Sequence, residues 1–342
     1  MRKITRLAIA AGALALMLAL AGCGGSKDAK PAAEGGALKG ALTLYTSQPE
    51  ADAQKLIAAF NKKHPDVKVQ IFRSGTEEVV SKVLAEEKAG AIQADMLLIA
   101  EDVTFEILKE RKLLEPHKSV ELKEIPAEFV DKDNMYVGTK VMTTGLMYNT
   151  TRGLAPLTSF ADLAKAAYKN EAVMPSPMYS GAAAYNVGLM SRTQGLGWQY
   201  FEALKANNIK VDKGNGAVQK AVVAGDKACG MIVDYLVMRA KAKGAPVEFV
   251  YPAEGSPVIT EPVAILKTSK NIPAAKAFVD FIISKEGQEL AASQGYTPIR
   301  KGIAAPAGLK SIDQIKVMKA DVNELYKNRA ADKKHFVEIF NK

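Results

Sequence analysis

Apolar and polar positions change period several times along the first third of the chain. Ala41, Leu42, Leu44 and Tyr45 form a short apolar run that predicts a strand. Ala53, Leu56, Ile57 and Phe60 then recur at helical spacing, and His64-Pro65 ends that helix. Val67, Val69 and Ile71 alternate, so a second strand follows. Ser74 and Glu77 stand at capping-box spacing ahead of a buried stripe of Val79, Val80, Val83 and Leu84. Asp95, Met96, Leu97, Leu98 and Ile99 predict a third strand. Such a βαβαβ run makes a parallel sheet covered on both faces.

The middle of the chain repeats the theme. Strands are expected at 141–148, 172–174 and 230–233, and helices at 160–168, 181–192 and 198–206, with one after 233 to about 243. Residues 258–266 read as an extended crossover. Helices follow at 274–283, with Pro273 near the first turn, and at 285–293, with Ser284 as the cap. The tail, 311–342, reads as helical. The fold class is α/β, as two units of which one is nested in the sequence of the other. Nesting requires chain crossings that act as a hinge. Ligands in open α/β sheets bind at the carboxyl ends of strands, so two facing lobes enclose a cleft.

The N-terminus adds a targeting segment. Arg2, Lys3 and Arg6 precede an apolar run at 7–21, too short to span a bilayer comfortably but suited to a signal peptide. Leu20-Ala21-Gly22-Cys23 resembles a bacterial lipobox, which implies that Cys23 becomes the first residue and carries lipid. An ordinary signal peptide with a chance cysteine is the alternative. Gly, Ala, Ser, Lys and Pro without periodicity make 24–38 a flexible tether. The expected organisation is a signal peptide at 1–22, a lipidated tether at 23–38, lobe one at 39–138 plus 263–310, lobe two at 139–262, and C-terminal helices at 311–342 of unassigned lobe.

Composition narrows the classes. Apolar content of 48% and charged content of 24% are ordinary for a globular protein. The formal charge is +9, and loss of Arg2, Lys3 and Arg6 leaves +6. The lysines are dispersed and not interleaved with aromatics, which speaks against nucleic acid as a partner. With Cys23 lipidated, Cys229 is alone, so no intramolecular disulfide is expected. Cys229 lies in an apolar run and reads as a buried small hydrophobe.

Three stretches then carry a family resemblance. They are Leu42-Thr43-Leu44-Tyr45-Thr46-Ser47, then Gln93-Ala94-Asp95-Met96-Leu97-Leu98, and a long segment from Glu261-Pro262-Val263 through Asn271-Ile272-Pro273 to Tyr296-Thr297-Pro298-Ile299-Arg300. From about residue 39 to 303 the chain resembles the family 1 bacterial extracellular solute-binding proteins, in the branch of ferric-iron, hexose-phosphate and phosphonate binders. The resemblance implies the two-lobed type 2 periplasmic-binding-protein fold with an interlobe cleft, and an ABC permease with its ATPase as partners. It implies an exported lipoprotein, periplasmic or at the cell surface, attached to a membrane through Cys23, and a monomer.

Ferric relatives use a His after the first strand, a Glu after the third and paired tyrosines in lobe two. Here Pro49 falls near the His place and Ala100 near the Glu place, with Glu101 and Asp102 adjacent. Asp234-Tyr235 stands where twin tyrosines are expected. His64, His117 and His335 read as surface residues.

A small anion fits the loops better: a phosphorylated or phosphonate compound, or a carboxylate. Ser74-Gly75-Thr76 and Ser180-Gly181-Ala182-Ala183 open predicted helices, whose N-termini bind anions through free N–H groups. Thr46 and Ser47 add hydroxyls, and Arg73 a bidentate cation. Glu101 and Asp102 are carried as further candidates beside them. Asp234 and Glu261 suit an ammonium or sugar hydroxyls, while Tyr185 and Tyr235 suit the ligand's body. Each also has an ordinary role as cap, turn or core residue. The reading needs no cofactor, no catalytic residue and no metal, although Tyr235 leads if the ferric alternative holds. Gly-x-Ser-x-Gly, Walker A and Cys-x-x-Cys patterns are absent from the sequence, which speaks against an enzyme. A ligand-sensing protein for a membrane receptor remains the alternative of another class.

Overall fold

The computed structural model describes residues 37–319 and 321–341. The expected signal peptide, the lipidation of Cys23 and all but the last two residues of the tether lie outside them.

The chain begins as expected, with β1 (Gly40–Thr46), α1 (Glu50–Lys63), β2 (Val67–Arg73), α2 (Thr76–Lys88), β3 (Met96–Leu98), α3 (Asp102–Glu110) and the short β4 (Leu114–Glu115). Strand β1 pairs in parallel with both β2 and β3. The long β5 (Val137–Asn149) leads into β6 (Ala172–Pro175), α4 (Gly181–Met190), α5 (Gly197–Ala206), β7 (Lys210–Asp212), α6 (Asn215–Val223), β8 (Cys229–Val233), α7 (Asp234–Ala242) and β9 (Val247–Val250). The return is made by β10 (Val258–Leu266), followed by α8 (Ile272–Ile283), α9 (Lys285–Ser293), β11 (Thr297–Pro298) and α10 (Val322–Phe340).

The strand order is β2-β1-β3-β10-β5-β8-β6-β7. Two strands carry the chain between the halves of this sheet. The first part of β5 pairs with β10 through Thr143, and from Thr144 onward β5 pairs with β8. Strand β10 pairs with β5 and then, from Val263, with β3. Its register slips between Thr260 and Pro262, where proline has no N–H to continue the ladder. Each half has its own apolar core. Leu42, Phe60, Met96 and Phe278 centre one, and Leu146, Phe160, Phe201 and Met231 centre another.

Several local expectations change. The segment 160–168 forms two 3-10 turns, Phe160–Ala164 and Ala166–Tyr168, because Asp162 folds back to cap Thr158 and Ser159 and Lys165 is extended. The tail is helical only from Val322, and α10 packs against α4 and α5. The Ser74–Glu77 capping box does not form. Gly75 is the cap of α2, the Ser74 hydroxyl turns to Glu78, and Glu77 is drawn to Arg329 and Lys333. His117 is not a surface residue, since its ring is largely buried and 2.6 Å from Asp280. Cys229 is buried, and burial pushes its thiol up to about 12.

Candidate functional site

A cavity of about 430 Å³ lies where the two halves face each other. Strands end and helices begin at its wall. Pro49 caps α1, Gly75 and Thr76 open α2, and Ala100 precedes Glu101, the cap of α3. From the other half come Ser180, Gly181 and Ala182 of α4, Gly214, Asn215 and Gly216 of α6, and Val233 and Tyr235 of α7. The first N–H groups of a helix have no partner within it. Those of Thr76, Gly181, Ala182, Asn215 and Gly216 find no acceptor among the described residues. Asn215 fastens three of these starts together: its side chain donates to Ser180 Oγ at 3.4 Å and accepts from the Val233 N–H at 3.2 Å.

The halves meet closely at one edge. A Cβ on Gly75 would fall 2.4 Å from the Tyr179 carbonyl oxygen, and one on Gly181 would fall 2.6 Å from that of Ala100. Only glycine permits either approach. The Glu77 N–H donates to the Tyr179 carbonyl across this edge at 3.3 Å. Arg73 donates to the Tyr179 hydroxyl at 3.0 Å and to the Gln48 carbonyl at 3.0 Å.

The lining is cationic. Arg73, Lys213 and Lys220 face the cavity, and Glu261 is the acidic side chain among its lining residues. Lys213 lies 3.7 Å from Glu78, while Lys220 has no salt-bridge partner among the described residues. Glu261 is buried, forms an ion pair with the equally buried Lys140, and accepts from Ser47 Oγ at 3.4 Å. Its charge is therefore offset from behind.

Among the residues expected from sequence, Ser47, Arg73, Gly75, Thr76, Ser180, Gly181, Ala182, Tyr235 and Glu261 line the cavity. The others lie elsewhere, each held by a local partner. Thr46 is buried and donates to the Leu98 carbonyl at 2.7 Å. Glu101 caps α3 and lies 2.8 Å from Arg329. Asp102 accepts from Thr260 at 2.5 Å, and burial pushes its carboxyl up to about 6. Ala183 gives its N–H to Ser180 Oγ, and Tyr185 packs half-buried on the apolar cores. Asp234 is buried behind the first turn of α7. Burial raises its carboxyl to about 7 despite hydrogen bonds from Thr143 and the Tyr235 N–H. Tyr235 stacks against Tyr296 at 4.4 Å with Arg239 over its ring. Sequence reading missed Tyr179, Lys213, Lys220, Asn215 and the supporting Lys140. The signal for Asn215 was a Gly-Asn-Gly turn before a helix, which by itself reads only as a turn.

Residues 55–317 match the profile of a bacterial extracellular solute-binding protein. An uncharacterized protein of Haemophilus influenzae is 31% identical over 75% of this chain and 77% of its own. The Fe(3+)-binding periplasmic protein of Serratia marcescens is 26% identical over 82% of this chain and 86% of its own. Among solved structures, the fructose-6-phosphate-bound periplasmic binding protein AfuA of Actinobacillus pleuropneumoniae superposes with a TM-score of 0.82 at 25% identity, covering 89% of this chain and 99% of that one. Iron-bound HitA of Pseudomonas aeruginosa gives 0.76 at 25% identity, covering 86% and 99%.

Proposed function

This chain belongs to the bacterial extracellular solute-binding proteins, and on that premise we propose that it captures a small organic anion in the interlobe cavity and delivers it to an ABC importer. The favoured solutes are phosphorylated compounds, phosphonates and carboxylates. The observation that carries this reading is the convergence of unpaired helix N-termini with Arg73, Lys213 and Lys220 on one cavity whose acid, Glu261, is already paired. Members of this family are binding proteins, and relatives of this chain are periplasmic.

Lobe one comprises 39–138 with 263–310 and lobe two 139–262, joined by the β5 and β10 crossings. Opening about these strands exposes the cavity. Ligand touching both lobes favours the closed form, which the importer's permease then recognises. Cys23 carries the lipid that holds the chain at a membrane.

Ferric ion is the second reading, favoured by the Serratia relative and the iron-bound HitA neighbour. Against it stands the lining itself. Three cations repel Fe(III), and no cluster of three or more His, Cys, Asp or Glu occurs among the described residues. A thermal-shift and calorimetric series with fructose 6-phosphate, 2-aminoethylphosphonate, citrate and ferric citrate tests the choice. A ligand that binds only the native state raises Tm by mass action. Stabilisation by a phosphorylated or phosphonate compound is expected. Stabilisation by iron alone, with a tyrosinate charge-transfer colour, would overturn the reading.

A further inference from the structure

Helix α10 lies beyond the residues matched by the family profile, 55–317, and it touches both lobes. One face is seated on lobe two. Phe336 packs on Phe201 with ring centroids 6.0 Å apart, and His335 stands edge-on to Trp198 at 4.4 Å. Arg192 donates to both carboxylate oxygens of Asp332, at 2.8 and 3.1 Å. Lys205 donates to the Phe340 carbonyl at 2.9 Å.

The other face reaches lobe one through Arg329, which is only 9% exposed. Its Nη2 donates to Glu77 Oε1 at 2.6 Å and to Thr104 Oγ1 at 3.2 Å. Its Nη1 lies 2.8 Å from Glu101 Oε1. Lys333 donates to the second Glu77 oxygen at 2.5 Å. Burial pushes the Glu77 carboxyl up, but Arg329 and Lys333 outweigh burial and hold it below its usual range. Glu77 follows Thr76 and Glu101 follows Ala100, and both of those neighbours line the cavity. The ion network therefore grips the two lobe-one segments that form the near wall of the site.

We propose that Arg329 is a positioning residue that latches lobe one onto lobe two, so that the ligand-free chain already populates the closed arrangement. The asymmetry lies in solvation. When the lobes open, water reaches Glu77, Glu101 and Arg329. When they close, the carboxylates are buried and only Arg329 and Lys333 compensate them. Removing Arg329 leaves buried, uncompensated charge in the closed form alone. The closed fraction then falls, and apparent affinity falls with it, because affinity scales with the fraction that is competent to bind.

This inference rests on hinge closure, and its test uses no ligand. Spin or fluorescent labels at Lys88→Cys on lobe one and Lys243→Cys on lobe two, in the full chain carrying Cys23→Ala, report the interlobe distance. Buried Cys229 resists labelling. The parent is expected to show a closed population that Arg329→Gln reduces by about tenfold or more. Glu77→Gln should act in the same direction, and the double variant should be non-additive. Lys333→Gln, at a more exposed position, should give a smaller shift and decides the matter with Glu77→Gln if Arg329→Gln fails to fold. Gly181→Ala separates the two ideas, since it blocks closure sterically. Opening by Gly181→Ala with no response to the latch variants overturns the latch and keeps the hinge. No response to any variant overturns both.

Discussion

Lys140 and Glu261 form an ion pair beneath the cavity, with side chains only 3% and 5% exposed. Lys140 comes from β5 and Glu261 from β10, so the pair joins the two strands on which the lobes are hung. Breaking one side of a buried pair is costlier than never having built it, because the remaining charge is left without a partner. Lys140→Met should therefore destabilise the fold by roughly 3–5 kcal/mol in urea unfolding. It should also weaken anion binding beyond what stability explains, since Glu261 would then face the ligand unopposed. Glu261→Gln should lose stability but not repel the anion. Equal affinity in the two variants would contradict the electrostatic account.

Arg73 is expected to matter through its guanidinium and Ser74 not at all. Arg73 lines the cavity and is aligned by Gln48 and Tyr179, whereas the Ser74 hydroxyl is turned to Glu78. Arg73→Gln should weaken binding of fructose 6-phosphate, or of whichever anion stabilises the parent, by roughly 1.5–3 kcal/mol. Ser74→Ala should leave affinity within a factor of about two, because surface substitutions of this kind are nearly neutral. Calorimetry on both variants checks this, and a loss confined to Ser74→Ala would move the site.

The burial of Asp234 should appear in the pH dependence of stability. Its carboxyl is raised to about 7 by burial, so the native state holds a proton that the unfolded chain releases at lower pH. The stabilising contribution is fully present below the unfolded value, near 4, and is lost as pH rises to about 7. Asp102, raised to about 6, adds to the same trend. Asp234→Asn keeps an acceptor for the Tyr235 N–H but removes the titration. Its stability relative to the parent should improve steadily from pH 5 to pH 8. A constant difference across that range, measured by urea unfolding, would remove Asp234 as the group responsible.

The sequence showed the architecture because its cues were local. Period changes marked β1 to β3, Pro273 and Ser284 marked helix starts, and the extended run at 258–266 marked a crossing. Part of the site was legible for the same reason, since Gly75, Ser180 and Gly181 open helices after strands. What was not legible depended on long-range partners. Glu101 and Glu77 read as loop and cap residues until Arg329 arrives from more than 200 positions away. Lys140 sits in an apolar strand with no sign that Glu261 will neutralise it. The C-terminal helix could not be assigned to a lobe because its polar residues, Arg329 and Asp332, are the buried ones.

Gly181 offers the cleanest separation of folding from closure. It occupies the first turn of α4, where alanine is the better helix former by roughly 1 kcal/mol. Within lobe two a methyl group is therefore acceptable. Across the cleft it is not, since a Cβ there would meet the Ala100 carbonyl oxygen at 2.6 Å and Thr76 Cγ2 at 2.8 Å. Those atoms belong to the opposite lobe, so the clash exists only when the lobes are together. Gly181→Ala should keep or slightly raise the ligand-free Tm while weakening ligand binding at least tenfold, about 1.4 kcal/mol. The ligand-induced Tm shift should shrink in proportion. Loss of ligand-free stability would instead place the contact inside the folded core, and undiminished affinity would mean that the functional closed form is wider than the one described.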